Sequence, residues 1–422
     1  MNFSTNKPKV FFKTFGCRTN IFDTQVMMSN LKDFEVTQNE KDANIVIINS
    51  CTVTNSADTT ARSYINGLKK LGNSPKVIFT GCGTRTKGEK LFGENKIDGL
   101  FGASEKENIN ELLKIDEKFF KLGDLKSLDK TVVEEFVGKS RAFIKIQEGC
   151  DFRCSYCIIP HVRGDARSYE ESVILNQVET LAQNGFSEFI LTGTNVGSYG
   201  KKMHTSLAKL LKKMALIKGV KRIRMGSIEP IQIDDEFREL INEPFMAKHL
   251  HIALQHTSKD MLKIMNRRNK VLSDLELFEF LSQNGYALGT DFIVGHPGET
   301  KELWEEAMKN LHNFPLTHIH AFTYSKRDGT PSASMKDIVK GDIAKDRYIE
   351  LVEIIKQKNY EFRKNNQVNL EVLVEQEKNG KYLGFDQFFN QVEIESSEDL
   401  LGDWVNLDSY LVKDVKNEAK FK

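Results

Sequence analysis

The stretch EGCDFRCSYCIIPHVRG, residues 148 to 164, sets Cys150, Cys154 and Cys157 at C-x-x-x-C-x-x-C spacing and follows them with His161 and Arg163. Three thiolates this close together can grip one inorganic centre. On a four-iron cubane they leave one iron without a protein ligand, free to chelate a small molecule, whereas a fourth cysteine would close the cluster and suit it to electron transfer. A tetrahedral zinc held by Cys150, Cys154, Cys157 and His161 is the competing use of the same residue types. The chain has six cysteines, and the remaining three, Cys17, Cys51 and Cys82, stand far apart. Each closes an apolar, strand-like run: KVFFKTFGC, NIVIINSC and KVIFTGC. Inert buried thiols would explain any one of them. Three at repeated positions favour a second ligand set.

The elements that must position these residues follow from periodicity. The cysteine intervals of 34 and 31 residues match a βαβ repeat of about 30, with helical patterns at residues 23 to 31 and 57 to 71 between the runs. Parallel strands in such units end on one sheet edge, where open α/β sheets place ligands, so the scattered cysteines are expected to converge there. This predicts an N-terminal open parallel α/β sheet over residues 1 to 120. A lysine-rich connector, 121 to 140, leads to six further strand candidates: AFIKIQ, EFILTG, KRIRMGS, HLHIAL, YALGTDFIV and THIHAFTY. Helical patterns fill most gaps between them; one, at residues 170 to 184, stops at Gly185. Residues 141 to 366 therefore read as a parallel partial (β/α)6 barrel, with its chemistry at the strands' C-terminal ends. A long helix over residues 342 to 363 leads out of it, and residues 367 to 422 read as a small all-β module.

Composition bounds the rest. At 422 residues the chain is long enough for two or three domains. No run approaches the roughly 18 apolar residues of a membrane helix, and the N-terminus has no basic segment leading into an apolar one. The expected location is the cytoplasm, where structural disulfides are rare and cysteines serve metals or catalysis. Net charge is +1, yet residues 367 to 422 hold 12 acidic residues against 6 lysines, leaving +7 on the remainder.

The C-x-x-x-C-x-x-C word resembles the radical SAM enzymes, in which the free iron binds the amino and carboxylate groups of S-adenosylmethionine (SAM) and an electron from the cluster releases a 5′-deoxyadenosyl radical. In them the aromatic before the last cysteine, here Tyr156, lies near the adenine. The whole chain resembles the methylthiotransferases, through TFGCRTNIFDT, NSCTVTNSAD, FTGCGTR, EGCDFRCSYCIIPHVRG, DFIVGHPGET and a TRAM-like tail that includes GKYLGF. The resemblance implies two [4Fe-4S] clusters, an auxiliary one on Cys17, Cys51 and Cys82 and a SAM-binding one on Cys150, Cys154 and Cys157. One SAM would methylate a sulfide on the auxiliary cluster and a second would supply the radical. The words around the first two cysteines are most similar to the MtaB-type branch, implying methylthiolation of carbon 2 of N6-threonylcarbamoyladenosine beside the tRNA anticodon. Isopentenyladenosine or a ribosomal-protein side chain is the alternative substrate, and a non-catalytic metal-dependent RNA-binding protein is the rival of a different class. Further partners implied are a reductant such as flavodoxin or ferredoxin, and a sulfur donor.

Position alone nominates other SAM contacts. Gly193, Thr194 and Asn195 follow the second barrel strand, Ser227 and Glu229 the third, Gln255 the fourth, and Val294 and Gly295 the fifth. Gln255–His256–Thr257–Ser258 stands where many relatives carry an S-G-S-like turn, and His296 where an aromatic is common. Arg153, Arg163 and Arg167 are candidates for RNA phosphate or a substrate carboxylate, with surface ion pairing as the alternative. Lys201, Lys202, Arg222, Arg224, Arg267 and Arg268 form a candidate phosphate track. His318 and His320 share one strand face, and Phe385, Phe388 and Phe389 are candidates for base stacking or for the core. The acidic tail places the expected RNA affinity on the barrel and first domain.

Overall fold

The computed structural model describes residues 7–68, 70 and 72–421. Strands between residues 9 and 121 build a wholly parallel sheet of β1 (Lys9–Thr14), β2 (Glu35–Val36), β3 (Ile45–Ser50), β4 (Lys76–Gly81), β5 (Gly99–Phe101) and β6 (Phe119–Lys121), in the order β2-β1-β3-β4-β5-β6. Every residue of β3, IVIINS, is buried, as expected of a central parallel strand covered on both faces. Because β1, β3 and β4 are neighbours, the loops bearing Cys17, Cys51 and Cys82 leave the same edge side by side. The helices between them, Arg18–Ser29 and Asn55–Leu68, begin earlier than the sequence pattern predicts, directly after the cysteine loops. Arg18–Ser29 is buried on several faces, with Asn20, Asp23, Thr24 and Gln25 all inside. Its apolar periodicity is correspondingly weak.

The six predicted barrel strands all form. β7 (Ala142–Lys145) is followed by a short antiparallel pair, β8 (Gln147–Glu148) and β9 (Arg167–Ser168), and then by β10 (Glu188–Thr192), β11 (Arg222–Arg224), β12 (His249–His251), β13 (Ala287–Val294) and β14 (His318–Thr323). β7, β10 and β11 pair in parallel, as do β12, β13 and β14. Parallel bridges Ile223↔Met246 and Ile228↔Ile252 join the two halves. One apolar core fills the barrel and takes in Phe22 and Val26 from helix Arg18–Ser29, which fastens the first sheet to the barrel beside β7. Residues 122 to 141 contain no regular element, yet Val133 and Phe136 are buried in that same core, so this stretch is packed down and not a free tether.

The helix Gly341–Asn365 leads to a curled mixed sheet of β15 (Leu370–Lys378), β16 (Lys381–Phe385), β17 (Gln391–Glu395), β18 (Trp404–Leu407), β19 (Leu411–Val412) and β20 (Asn417–Lys420), ordered β18-β15-β16-β17-β20-β19. It is consistent with a TRAM-like module. Its core holds Phe388.

Candidate active site

Close approach of the first-sheet loops needs glycine. Gly16 has φ +102°, and a Cβ built on it would lie 2.4 Å from Cys51 Cβ. Gly81, φ +86°, makes the equivalent turn before Cys82. Cys51 and Cys82 are buried, and Cys17 is exposed at the rim. Burial pushes the Cys51 thiol up to about 12, with the neighbouring Cys82 and Cys17 adding to the shift; Cys82 is raised mainly by burial, against the pull of Arg163. In the second set, burial raises Cys150, with Cys154 adding to the shift, and raises Cys157 to about 12, with Cys154 and Cys150 adding to it. Thiols crowded together out of water lose their protons to a metal centre.

The spacing of the sulfurs discriminates between centres. A zinc with Zn–S bonds of about 2.3 Å needs its sulfurs about 3.8 Å apart. Among the described residues, neither trio has all three sulfurs within 4.8 Å of one another, and His161, which is exposed, completes no such group. Three thiolates without a fourth cysteine suit a four-iron cluster that keeps one iron open. Backbone N–H groups of Phe152 and Val53 reach the sulfurs of Cys150 and Cys51 at 3.4 and 3.5 Å, and Asn195 Nδ2 reaches Cys150 at 3.5 Å, the donors expected around thiolate ligands.

A cavity of about 310 Å³ opens on the second trio. It is lined by Cys150, Cys154, Tyr156, Cys157, Thr194, Asn195, Ser227, Glu229 and Gln255 of the predicted residues. Gly193, Val294 and Gly295 do not line it: Gly193 backs onto Gln147, Val294 is in the barrel core, and the Gly295 N–H donates to Glu299 Oε2 at 2.8 Å. Pattern reading missed Val53 and Thr54, Phe322 to Ser325, and Asp291. The first two carry the larger consequence, because they follow Cys51 and bring its loop to the wall of the same cavity. Asn195 Oδ1 is buried with no hydrogen-bond partner among the described residues, an acceptor suited to an ammonium group. Gln255 has φ +65°, backbone strain located at the cavity wall.

Arg163 corrects its sequence reading. Its side chain is 1% exposed, with Nε on Cys82 Sγ at 3.1 Å, Nη1 on Asp23 and Glu148 at 2.8 and 2.6 Å, and Nη2 on Asn20 at 2.7 Å. It therefore ties the Cys82 loop to the barrel, with its guanidinium buried and fully engaged inside the protein. Lys145 and Lys106 join the same network, contacting Asp129 at 3.1 and 2.6 Å. Three cations thus meet three carboxylates. Burial raises the carboxyls of Asp23 and Asp129, but Lys145 and Lys106 overcome it, holding Asp129 at about 2 and Asp23 lower still. Half of the candidate phosphate track is likewise internal, Arg222, Arg224 and Arg267, while Arg268, Lys201 and Lys202 are exposed. Arg222 and Arg224 both bond Glu188, Arg267 pairs with Glu229, and Arg268 lies over Phe152. Arg153 makes the surface pair with Asp165, and Arg167 bonds backbone carbonyls.

The strand-face reading of the histidines holds. His318 packs edge-on to His249, and His320 stacks on His251 at 4.6 Å. His251, Asp291 and His320 bring their ligand atoms within 4.8 Å of one another. Phe389 of the C-terminal module reaches this region, stacked on His249 at 5.1 Å and on Phe385 at 4.8 Å.

Comparison with known proteins gives the class first. Residues 144–311 match the radical SAM superfamily, and residues 9–102 match the uncharacterized protein family UPF0004. The TsrM structure from Kitasatospora setae, a radical S-adenosylmethionine methyltransferase with cobalamin and a [4Fe-4S] cluster bound, superposes with TM-score 0.59 at 15% identity over 78% of this chain and 77% of that one, a likeness of fold. A Helicobacter pylori (strain J99) protein, provisionally named a methylthiotransferase, is 53% identical over 98% of this chain and its own full length. The threonylcarbamoyladenosine tRNA methylthiotransferases MtaB of Rickettsia prowazekii and Bacillus subtilis are 35% and 31% identical over 86% and 98% of this chain, covering 86% and 96% of their own lengths. The chain belongs to the radical SAM methylthiotransferase family, enzymes that use SAM and two [4Fe-4S] clusters. No helix among the described residues is long and apolar enough to cross a membrane.

Proposed function

We propose that the protein methylthiolates carbon 2 of N6-threonylcarbamoyladenosine next to the tRNA anticodon. The observation that carries this reading is the shared cavity: Val53 and Thr54, from the loop after Cys51, and the whole Cys150, Cys154, Cys157 set border one space. Bound at the two trios, the clusters and SAM supply the hydrogen-abstracting radical and the methylthio group. The chain's own residues orient and shield. Tyr156 and Ile293 wall the cavity, Asn195 and Glu229 offer acceptors for an ammonium, and the Arg267 guanidinium, fixed by Glu229 at 2.9 Å, faces Cys154 at 3.7 Å. Carbon 2 offers no acidic proton, so a general base has nothing to remove there; positioning is the protein's contribution.

The MtaB proteins named above support the choice of nucleoside, and the words around Cys17 and Cys51 point the same way. Relatives named for dimethylallyladenosine in tRNA and for ribosomal protein uS12 mark the other substrates of the family. The same reading places the enzyme in the cytoplasm, with a flavodoxin- or ferredoxin-like reductant and a sulfur donor as partners. Gly193, Val294 and Gly295 then act from behind the SAM site, holding its walls. Nucleoside mass analysis of tRNA from cells lacking the protein tests the proposal. Loss of the methylthio form of threonylcarbamoyladenosine is expected, and an unchanged nucleoside profile overturns it.

A further inference from the structure

A second buried charge cluster lies between the barrel and the C-terminal module, where Arg18, Arg141 and Arg224 surround Phe389 at 5.6, 5.6 and 5.3 Å from its ring centre. Its carboxylates are spoken for. Glu188, fully buried, takes Arg222 and Arg224, Glu375 takes Arg141, and Asp386 accepts the backbone N–H groups of Phe388 and Asn390 in its own turn. Four guanidiniums therefore face three carboxylates. The unmatched one is Arg18, half-buried, whose side chain has no hydrogen-bond acceptor among the described residues. Two further polar atoms nearby lack a hydrogen-bond partner among the described residues: Arg141 Nη1, which keeps only a long 3.8 Å ion pair with Glu188, and His249 Nε2, His249 being only 7% exposed. Buried polar groups without partners are rare and costly, and a surplus guanidinium fork beside them is built for an oxyanion.

We infer that Arg18, with Arg141 and His249, forms a subsite for a carboxylate carried by the substrate. The inference rests on the functional reading above, in which the N6 substituent of the target adenosine ends in a carboxylate. Arg18 directly follows Cys17 in the chain, so a group anchored on its fork is held beside the auxiliary trio. An RNA backbone phosphate has the same chemistry as a ligand, and the auxiliary cluster is the competing partner within the protein.

The test uses the full chain with both clusters loaded and anticodon stem-loop RNAs bearing N6-threonylcarbamoyladenosine, its methyl ester, or N6-dimethylallyladenosine. The wild type is expected to favour the free acid over the ester by ~10- to 100-fold in kcat/KM, the range for a charged fork that loses its partner. Arg18→Gln erases that preference while iron content and cluster spectra stay as in the wild type, and Arg18→Lys keeps part of it. The subsite is overturned if Arg18→Gln preserves the acid-over-ester ratio. It is also overturned if that variant loses iron, which makes Arg18 a cluster partner, or if it weakens all three RNAs equally, which makes the anion a phosphate. A wild type that acts on the dimethylallyl RNA alone overturns the functional reading and the subsite with it, and that result is visible before any variant is made.

Discussion

Two buried charge clusters hold this molecule together, and they are built on opposite principles. Around Arg163, Lys145 and Lys106, three cations meet Asp23, Asp129 and Glu148, and the Tyr169 hydroxyl donates to Asp129 at 2.6 Å. Around Arg18, Arg141, Arg222 and Arg224, the cations outnumber the carboxylates, and polar atoms are left over. A balanced network repays its desolvation within the fold and serves as a joint. An unbalanced one costs stability until something from outside completes it. The first cluster fastens the Cys82 loop to the barrel; the second faces a substrate.

If that contrast is right, the largest effect belongs to the joint. Arg163→Met strands Asp23 and Glu148 without a guanidinium in a dry interior, which is expected to cost about 4–5 kcal/mol. Chemical unfolding and iron analysis together check it, the iron of the Cys17, Cys51, Cys82 set being lost along with stability. Retention of full iron content and an unchanged unfolding midpoint would show that the network is ornamental.

Glu188→Gln is next. It removes the negative charge shared by Arg222 and Arg224, and one of the two acceptor oxygens, from a cluster already short of negative charge, for an expected loss of about 3 kcal/mol in the same unfolding measurement. A smaller cost than at Arg163 is required by the comparison, because the arginines also bond backbone carbonyls of the C-terminal module.

Acid separates the clusters further. Burial and the neighbouring His251 hold His318 down at about 3, and burial with His318 pushes His249 well below its ordinary value. Groups kept neutral in the fold take up protons more readily in the unfolded chain, so their contribution is intact above about pH 6.5 and is lost as pH falls from there toward 3. At pH 5 the loss from His318 is about 2 kcal/mol. The joint behaves differently. Asp129, held at about 2, has its stabilisation in full above the ordinary carboxylate range and loses it only as pH falls below about 4. Hydrogen exchange between pH 7 and 5, corrected for intrinsic rate, should therefore loosen β12 and β14 before the helix Arg18–Ser29. Uniform loosening would contradict the contrast.

The smallest expected change is Arg18→Gln. Removing the unmatched cation leaves no carboxylate behind, so folding stability should move by no more than about 0.5 kcal/mol. A loss of several kcal/mol would show that Arg18 is structural.

How much of this was legible beforehand depends on the range of the signal. The parallel strands, the barrel and both cysteine trios are local patterns: an apolar run, a 3.6-residue period, a fixed spacing. The cavity residues that follow barrel strands were found by the same logic, though Gly193, Val294 and Gly295 show its limit, since position after a strand does not say which way a residue faces. The start of the helix after Cys17 is not legible in the sequence, because burial on several sides erases amphipathicity. Arg163, Arg222, Arg224 and Arg267 look like surface or phosphate-binding charges in the sequence, since a guanidinium carries no sequence mark of burial; what buries it is a carboxylate many residues away, as Asp23 is for Arg163.

Sequence by itself determined the two sets of three cysteines and the order of strands that bears them, because residue spacing and backbone periodicity are properties of short segments. Only the tertiary structure decided that the loop after Cys51 walls the cavity of the other trio, and which buried arginines have partners. Both are facts about distance across the fold, where packing and desolvation, and not chain order, determine which groups meet.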